Sequence, residues 1–239
     1  MAQAYIRRRG RRVPEYPHYT FTGSHQLLDD GDGNWRIKLK SSGTLTFQYE
    51  RLIDVFLVGA GGGATAVNGT STGEYRYASG GGGGYAQTCA SLTAQRKTDY
   101  SVIVGVGAAG AEGAASSAFG QSAAGGKAGG LASTGYVAGG DGGSGGGGYL
   151  GAGGSDGANG GSGYNSCPGG SGQGTTTREF GEADGAPYAA GGNGGQPDTD
   201  GAAGAANTGD GATPYKSNSA DSHDGFAGGS GIVIVRNHR

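Results

Sequence analysis

The chain has 239 residues, of which 59 are glycine, several times the ordinary share, and only 34% are hydrophobic. That composition excludes a single oily core running through the whole chain. The formal net charge is −2, which hides an asymmetry: Ile6–Arg12 (IRRRGRR) holds five arginines, so the acidic remainder opposes a nucleic-acid function.

Residues 1–17 read as a basic N-terminal arm, a docking segment or loose end. Two prolines in VPEYP favour an extended backbone there. No secretory signal follows Met1, and no apolar run approaches the roughly 20 residues of a membrane span.

From His18 to about residue 106 the texture is that of strands. YTFTG, NWRIKLK, GTLTFQY, LIDVFLV, GYAQTCASL and DYSVIVGV are rich in Tyr, Thr, Val and Ile, and most are separated by Gly, Asp or Ser turns. In NWRIKLK, Trp35, Ile37 and Leu39 alternate with Arg36, Lys38 and Lys40, which predicts one buried face and one wet one. No helical period is present, so the expected class is all-β. Cys89 and Cys167 lack CxxC spacing and either pair or remain free thiols; cysteine this sparse does not make a disulfide scaffold.

Glycine-dense sequence fills residues 107–231, with an earlier patch at 59–84 between two strands. It is followed by Gly231–Arg236 (GIVIVR), whose aliphatics need a sheet, and the only sheet expected is the N-terminal one. The tract therefore reads as an insertion with both ends held together and residues 232–239 as a closing strand. Closing a floppy loop of this length costs roughly 4 kcal/mol, which two or three buried aliphatics at roughly 1.5–3 kcal/mol each can offset. Order in the tract itself has to come from backbone hydrogen bonds, because glycine has no side chain to bury and loses the most entropy on being fixed. Extended helices with three residues per turn turn their peptide groups sideways. Packed side by side they bond one another, as in polyglycine II. Runs such as GGDGGSGGGG suit that arrangement, with bulkier residues at turns and outer faces. Strict Gly-X-Y is absent, so collagen is excluded.

Motifs that suggest chemistry fail in context. Gly105–Gly110 (GVGAAG) follows a predicted strand but precedes no good helix. Gly142–Gly146 (GGSGG) lacks the strand and helix of a nucleophile elbow around Ser144. Gly120–Ala128 is one residue too long for a phosphate loop and has Ala128 where Ser or Thr would bind magnesium. Asp29–Asn34 (DDGDGN) starts like a calcium loop, but Trp35 and Ser41 occupy the glycine and glutamate positions. It reads instead as a tight turn between strands. His18, His25, His223 and His238 have no metal spacing. The expectation is a protein without catalytic residues, metal or cofactor.

The segments DDGDGNWRIKLKSSGTLTF, IDVFLVGAGGG, GGGGGYAQT, YSVIVGVG, GQGTTTREFGE and GGSGIVIVRNHR together resemble the glycine-rich domain of tail and tail-fibre proteins from phages and prophages of Gram-positive bacteria, over residues 18–239. More distantly, the order of sheet, glycine tract and closing strand is similar to the glycine-rich domain of anaplastic lymphoma kinase and to the tip adhesins of T-even-like tail fibres. The resemblance implies a TNF-like or jelly-roll β-sandwich with an inserted polyglycine-II bundle, made without a signal peptide and carried on a virion tail tip or fibre. It implies a receptor-binding adhesin for a host surface glycan or protein. A structural tail subunit without receptor contact is the alternative. The loops expected to carry recognition are Asn68–Ser79, Thr175–Tyr188 and Thr213–Phe226, with Tyr75, Arg76, Tyr77, Tyr188 and Tyr215 as candidate contacts. The match at TTTREFGE implies structural roles for Arg178 and Glu179. Other tail proteins are expected partners through the arm, no membrane insertion is expected, and a homo-oligomer stays open.

Overall fold

A computed structural model describes residues 16–66, 77–132, 137–148, 174–195, 200–215 and 222–239. The fold is all-β, with no α-helix among the described residues. Its main sheet has five antiparallel strands in the order β2 (His25–Gly31), β3 (Asn34–Leu39), β12 (Ile232–Asn237), β5 (Arg51–Val58) and β7 (Ala86–Ala94). A three-stranded sheet of β1 (Tyr19–Phe21), β4 (Gly43–Phe47) and β8 (Asp99–Val102) faces it. The hairpin of β9 (Ser116–Ala118) and β10 (Gln121–Ala123) extends that second layer through a bridge between Ile103 and Ser117.

Alternation along the strands makes the sandwich. Trp35, Ile37 and Leu39 of β3, Ile53, Val55 and Leu57 of β5, and Val233 and Val235 of β12 meet Leu45, Phe47 and Val102 from the second sheet in one buried cluster. The terminal strand lies between β3 and β5, with Val233 opposite both Leu39 and Leu57. It is buried on both faces, because Ile232 and Ile234 point to a second cluster with Phe56, Val58 and Phe180. That explains its unbroken run of four aliphatics. The DDGDGN segment is the β2–β3 turn, with Gly31, Asp32 and Gly33 all at positive φ.

The glycine tract continues the main sheet. Ile232, Val58 and Ala86 are register partners on three adjacent strands, and the chain passes from Ile232 and Val58 directly into glycine and from Ala86 through Tyr85. Neighbouring strands lie about 4.8 Å apart, so the segments leaving them start too close for side chains between them.

Residues 80–85 form the first hub of the glycine bundle. The N–H groups of Gly80 and Gly83 donate to Gly147 and Ser144, those of Gly81 and Gly84 to Ala212 and Gly209, and those of Gly82 and Tyr85 to Lys127 and Ala124. Their carbonyls keep the same period: Gly80 and Gly83 accept from Gly140 and Gly143, Gly81 from Gly192, and Gly82 and Tyr85 from Gly62 and Gly59. Five of the six legs are revisited at the third residue, so the hub is a helix of three residues per turn bonded to six surrounding legs, which is polyglycine-II packing. Residues 59–64 form a second hub, with Ala60 and Gly63 donating to Ala114 and Ala111, and Gly61 and Ala64 to Gly229 and Phe226. A Cβ built on Gly82 would fall within 3.0 Å of the Asp141 carbonyl, and one on Gly62 equally close to that of Lys127. Alanine is nonetheless accommodated at some interior positions: Ala60, Ala64 and Ala212 are fully buried.

Candidate functional site

The bundle has a sheet end and a far end. At the sheet end Gly59 donates to Tyr85, Gly231 to Gly105, Ala189 to Thr208 and Gly209 to Ser230. At the far end Ala78 and Tyr77, in the short strand β6 (Tyr77–Ala78), pair with Leu131 and Ala132 of β11 (Leu131–Ala132). The N–H of Gly195 donates to Ala78, that of Phe226 to Ala64, and the Ser79 hydroxyl to Ala138. The rings of Tyr215 and His223 stack there with centroids 3.4 Å apart, and Ala202 bridges to Thr213. The described residues flanking 67–76, 133–136, 196–199 and 216–221 therefore sit on both sides at this one end.

Of the residues proposed from sequence as contacts, Tyr75 and Arg76 lie outside the described residues, and Tyr77 and Tyr215 belong to the far end. The 175–188 loop goes elsewhere. Two 3-10 turns, η1 (Gly174–Thr177) and η2 (Glu179–Gly181), lay it across the outer face of the main sheet. Tyr188 packs on Phe56 with ring centroids 5.5 Å apart, accepts a 3.0 Å hydrogen bond from Lys38 Nζ and donates at 3.2 Å to Glu179. Burial raises the Tyr188 hydroxyl above its ordinary value, as does the neighbouring Glu179, against the lowering effect of Lys38.

This cover changes the face of β3 that its alternation marks as wet. Glu179 is 1% exposed and binds Arg36 Nη1 at 2.5 Å and Lys38 Nζ at 2.9 Å. Arg36 Nε also pairs with Asp30 at 2.8 Å, and Arg239 reaches the same carboxylate. On the neighbouring strands the buried Asp54 meets Arg236 Nε at 3.2 Å and His238 Nδ1 at 2.6 Å, and accepts from the Ser91 N–H. The Arg236 guanidinium also lies 3.9 Å from the centroid of the Phe180 ring and pairs with Glu182. Phe180 holds a positive φ of 56°, a conformation unusual for a bulky residue, and it is fixed there by burial against Phe56 and Arg236. Basic residues on a strand and the acids of EFGE were the sequence signal for this network. What the sequence lacked was the register that brings them together.

Among the described residues no group of three or more metal-ligating side chains occurs, and no helix is long and apolar enough to cross a membrane. Cys89 is a free thiol, half-exposed, and burial raises its pKa; Cys167 lies outside the described residues.

These features define a class: a β-sandwich that carries a polyglycine-II bundle grown from its central strands. Residues 40–238 match the glycine-rich domain family, and the chain belongs to that family. No curated protein matches it.

Proposed function

We propose that this chain is a receptor-binding adhesin of a phage tail tip or tail fibre, presenting loops at the far end of the bundle to a host surface glycan or protein. The observation that supports this most is the gathering of the flanks of 67–76, 133–136, 196–199 and 216–221 at one end of a bundle whose hub peptides are bonded on both the donor and acceptor sides. Such a base removes much of the ordering cost that binding loops otherwise carry, and several copies on one particle raise avidity. Recognition is then non-covalent, and Tyr75, Arg76, Tyr77 and Tyr215 are the contacts to examine first. Other tail proteins are the partners this reading gives to the basic arm.

The test is binding of the labelled chain to a panel of Gram-positive strains, with residues 67–76 and 216–221 exchanged for Gly-Ser of equal length. Binding to a subset of strains, lost on exchange, supports the reading. Particles that carry both exchanges and adsorb normally would make the chain a structural tail subunit instead.

A further inference from the structure

Ser91, His238 and Asp54 meet on the outer face of the main sheet, at the end away from the bundle. The Ser91 hydroxyl lies 3.3 Å from His238 Nε2, and His238 Nδ1 lies 2.6 Å from Asp54 Oδ1. Asp54 is 2% exposed, the His238 side chain 34%, and Ser91 is open to solvent. Spacing in the sequence shows none of this, since His238 stands 184 residues from Asp54 and 147 from Ser91. A bulge in β7 brings the serine into place. Ile53 faces Leu92 and Val55 faces Cys89, so Ala90 and Ser91 share the position opposite Asp54. Bulges re-aim side chains, and Ser91 holds a φ of 59°, uncommon for a residue other than glycine. The His238 N–H donates to the Leu52 carbonyl at 3.1 Å, which extends the β12 pairing and anchors the ring.

Arg236 takes Asp54 Oδ2 at 3.2 Å and leaves Oδ1 to the imidazole. An ionised carboxylate only accepts, so the His238 proton sits on Nδ1, and Nε2 is the acceptor for the Ser91 hydroxyl. A hydroxyl bonded to a base that a third group orients is the arrangement of an activated nucleophile, recognised by geometry and not by chain position. The 3.3 Å contact is of the loose kind found before a substrate binds. Beside it Leu52, 47% exposed, lies between His238 and Thr93 on the same face and offers an apolar rest. We infer that Ser91, with His238 as its base and Asp54 as the residue that positions His238, accepts the acyl group of small esters with an apolar acyl chain. Ser91 Oγ bonds to the acyl carbon as its proton passes to His238 Nε2. The bond to the alcohol oxygen then breaks, and the departing alcohol takes that proton. Water repeats the sequence, releasing the acid and restoring Ser91. The Ser91 N–H is spent on Asp54 at 3.1 Å and does not serve the oxyanion; lacking such a donor costs about 10²–10³ in rate, so turnover is slow and the acyl-serine accumulates.

The full chain is incubated with p-nitrophenyl acetate and p-nitrophenyl butyrate, and the acylated residues are located by peptide mass spectrometry. Ser91 should be acylated at least about a hundredfold faster than the exposed Ser101, and faster by butyrate than by acetate. Ser91→Gly, which tolerates the positive φ, should abolish the burst of p-nitrophenol with thermal melts unchanged. His238→Ala should slow acylation of Ser91 about a hundredfold, and added imidazole should restore part of it, which a merely structural histidine would not allow. The positioning role of Asp54 is read by the downfield Nδ1 proton resonance of His238, lost in Asp54→Asn. Exchange of 67–76 and 216–221 leaves acylation unchanged, so this inference and the far-end reading fail separately. Acylation of Ser91 no faster than of Ser101, or equally fast in His238→Ala, overturns the inference; equal rates with the two esters overturn its apolar preference.

Discussion

Arg36 Nη1 lies 2.5 Å from Glu179 Oε1, joining positions 143 residues apart and fastening a segment from within the glycine tract across the main sheet. Glu179 is almost wholly buried and also holds Lys38. Arg36 keeps Asp30 and both cations are part-exposed, but the charge-assisted hydrogen bonds to Glu179 are lost, so Glu179→Ala should cost about 2 kcal/mol in urea unfolding. A loss below about 0.5 kcal/mol, the scale of an ordinary surface change, would mean that the covering segment is not docked as described.

Tyr188→Phe separates a structural tyrosine from a recognition one. It removes the hydroxyl shared by Lys38 and Glu179 and should lower stability by about 1 kcal/mol while cell binding stays unchanged. Reduced binding with unchanged stability would return Tyr188 to the recognition surface.

Acid stability should depend on Asp54. Burial pushes its carboxyl up, but hydrogen bonds from His238, the Ser91 N–H and Arg236 outweigh this and hold it below its ordinary value. A carboxylate depressed in the folded state stabilises fully above its unfolded pKa of about 3.9, and that contribution is lost as pH falls further towards the folded value. Thermal melts of the native chain should therefore drop below about pH 4, and Asp54→Asn should flatten the dependence at the expense of stability at neutral pH. Equal slopes in the two proteins would rule this carboxylate out as a source of acid sensitivity.

Glycines in this chain should not be equivalent. Gly82→Ala forces a Cβ onto a neighbouring carbonyl in the bundle, whereas the same change at Gly31 meets nothing within 4 Å and only strains a positive φ of 79°. The first should cost about 3 kcal/mol and the second about 1 kcal/mol. Similar melts for the two variants would contradict the bundle geometry.

The sequence made the all-β class legible through Trp35, Ile37 and Leu39, and GIVIVR pointed to a strand that must return to the first sheet. Its place between β3 and β5 was hidden, because an aliphatic run does not choose its partners. β2 went unread: HQLLDDG has no clean alternation, and it forms by pairing with β3 through a bulge. The three-residue period of the bundle was expected from glycine chemistry, but which legs touch is decided by Val58, Ala86 and Ile232 lying in register. The network around Glu179 was unreadable for the same reason, since it joins residues brought together only by the fold.

The central claim is that the glycine tract is a hydrogen-bonded lattice built on the two hubs. Amide hydrogen exchange across Gly80–Gly84 and Gly59–Gly63 measures this directly. The account predicts protection approaching that of Phe56 and Ile234 in the main sheet, because each hub amide donates to another leg of the bundle. Exchange at the rate of an unstructured peptide in both hubs, with the sheet still protected, would contradict it.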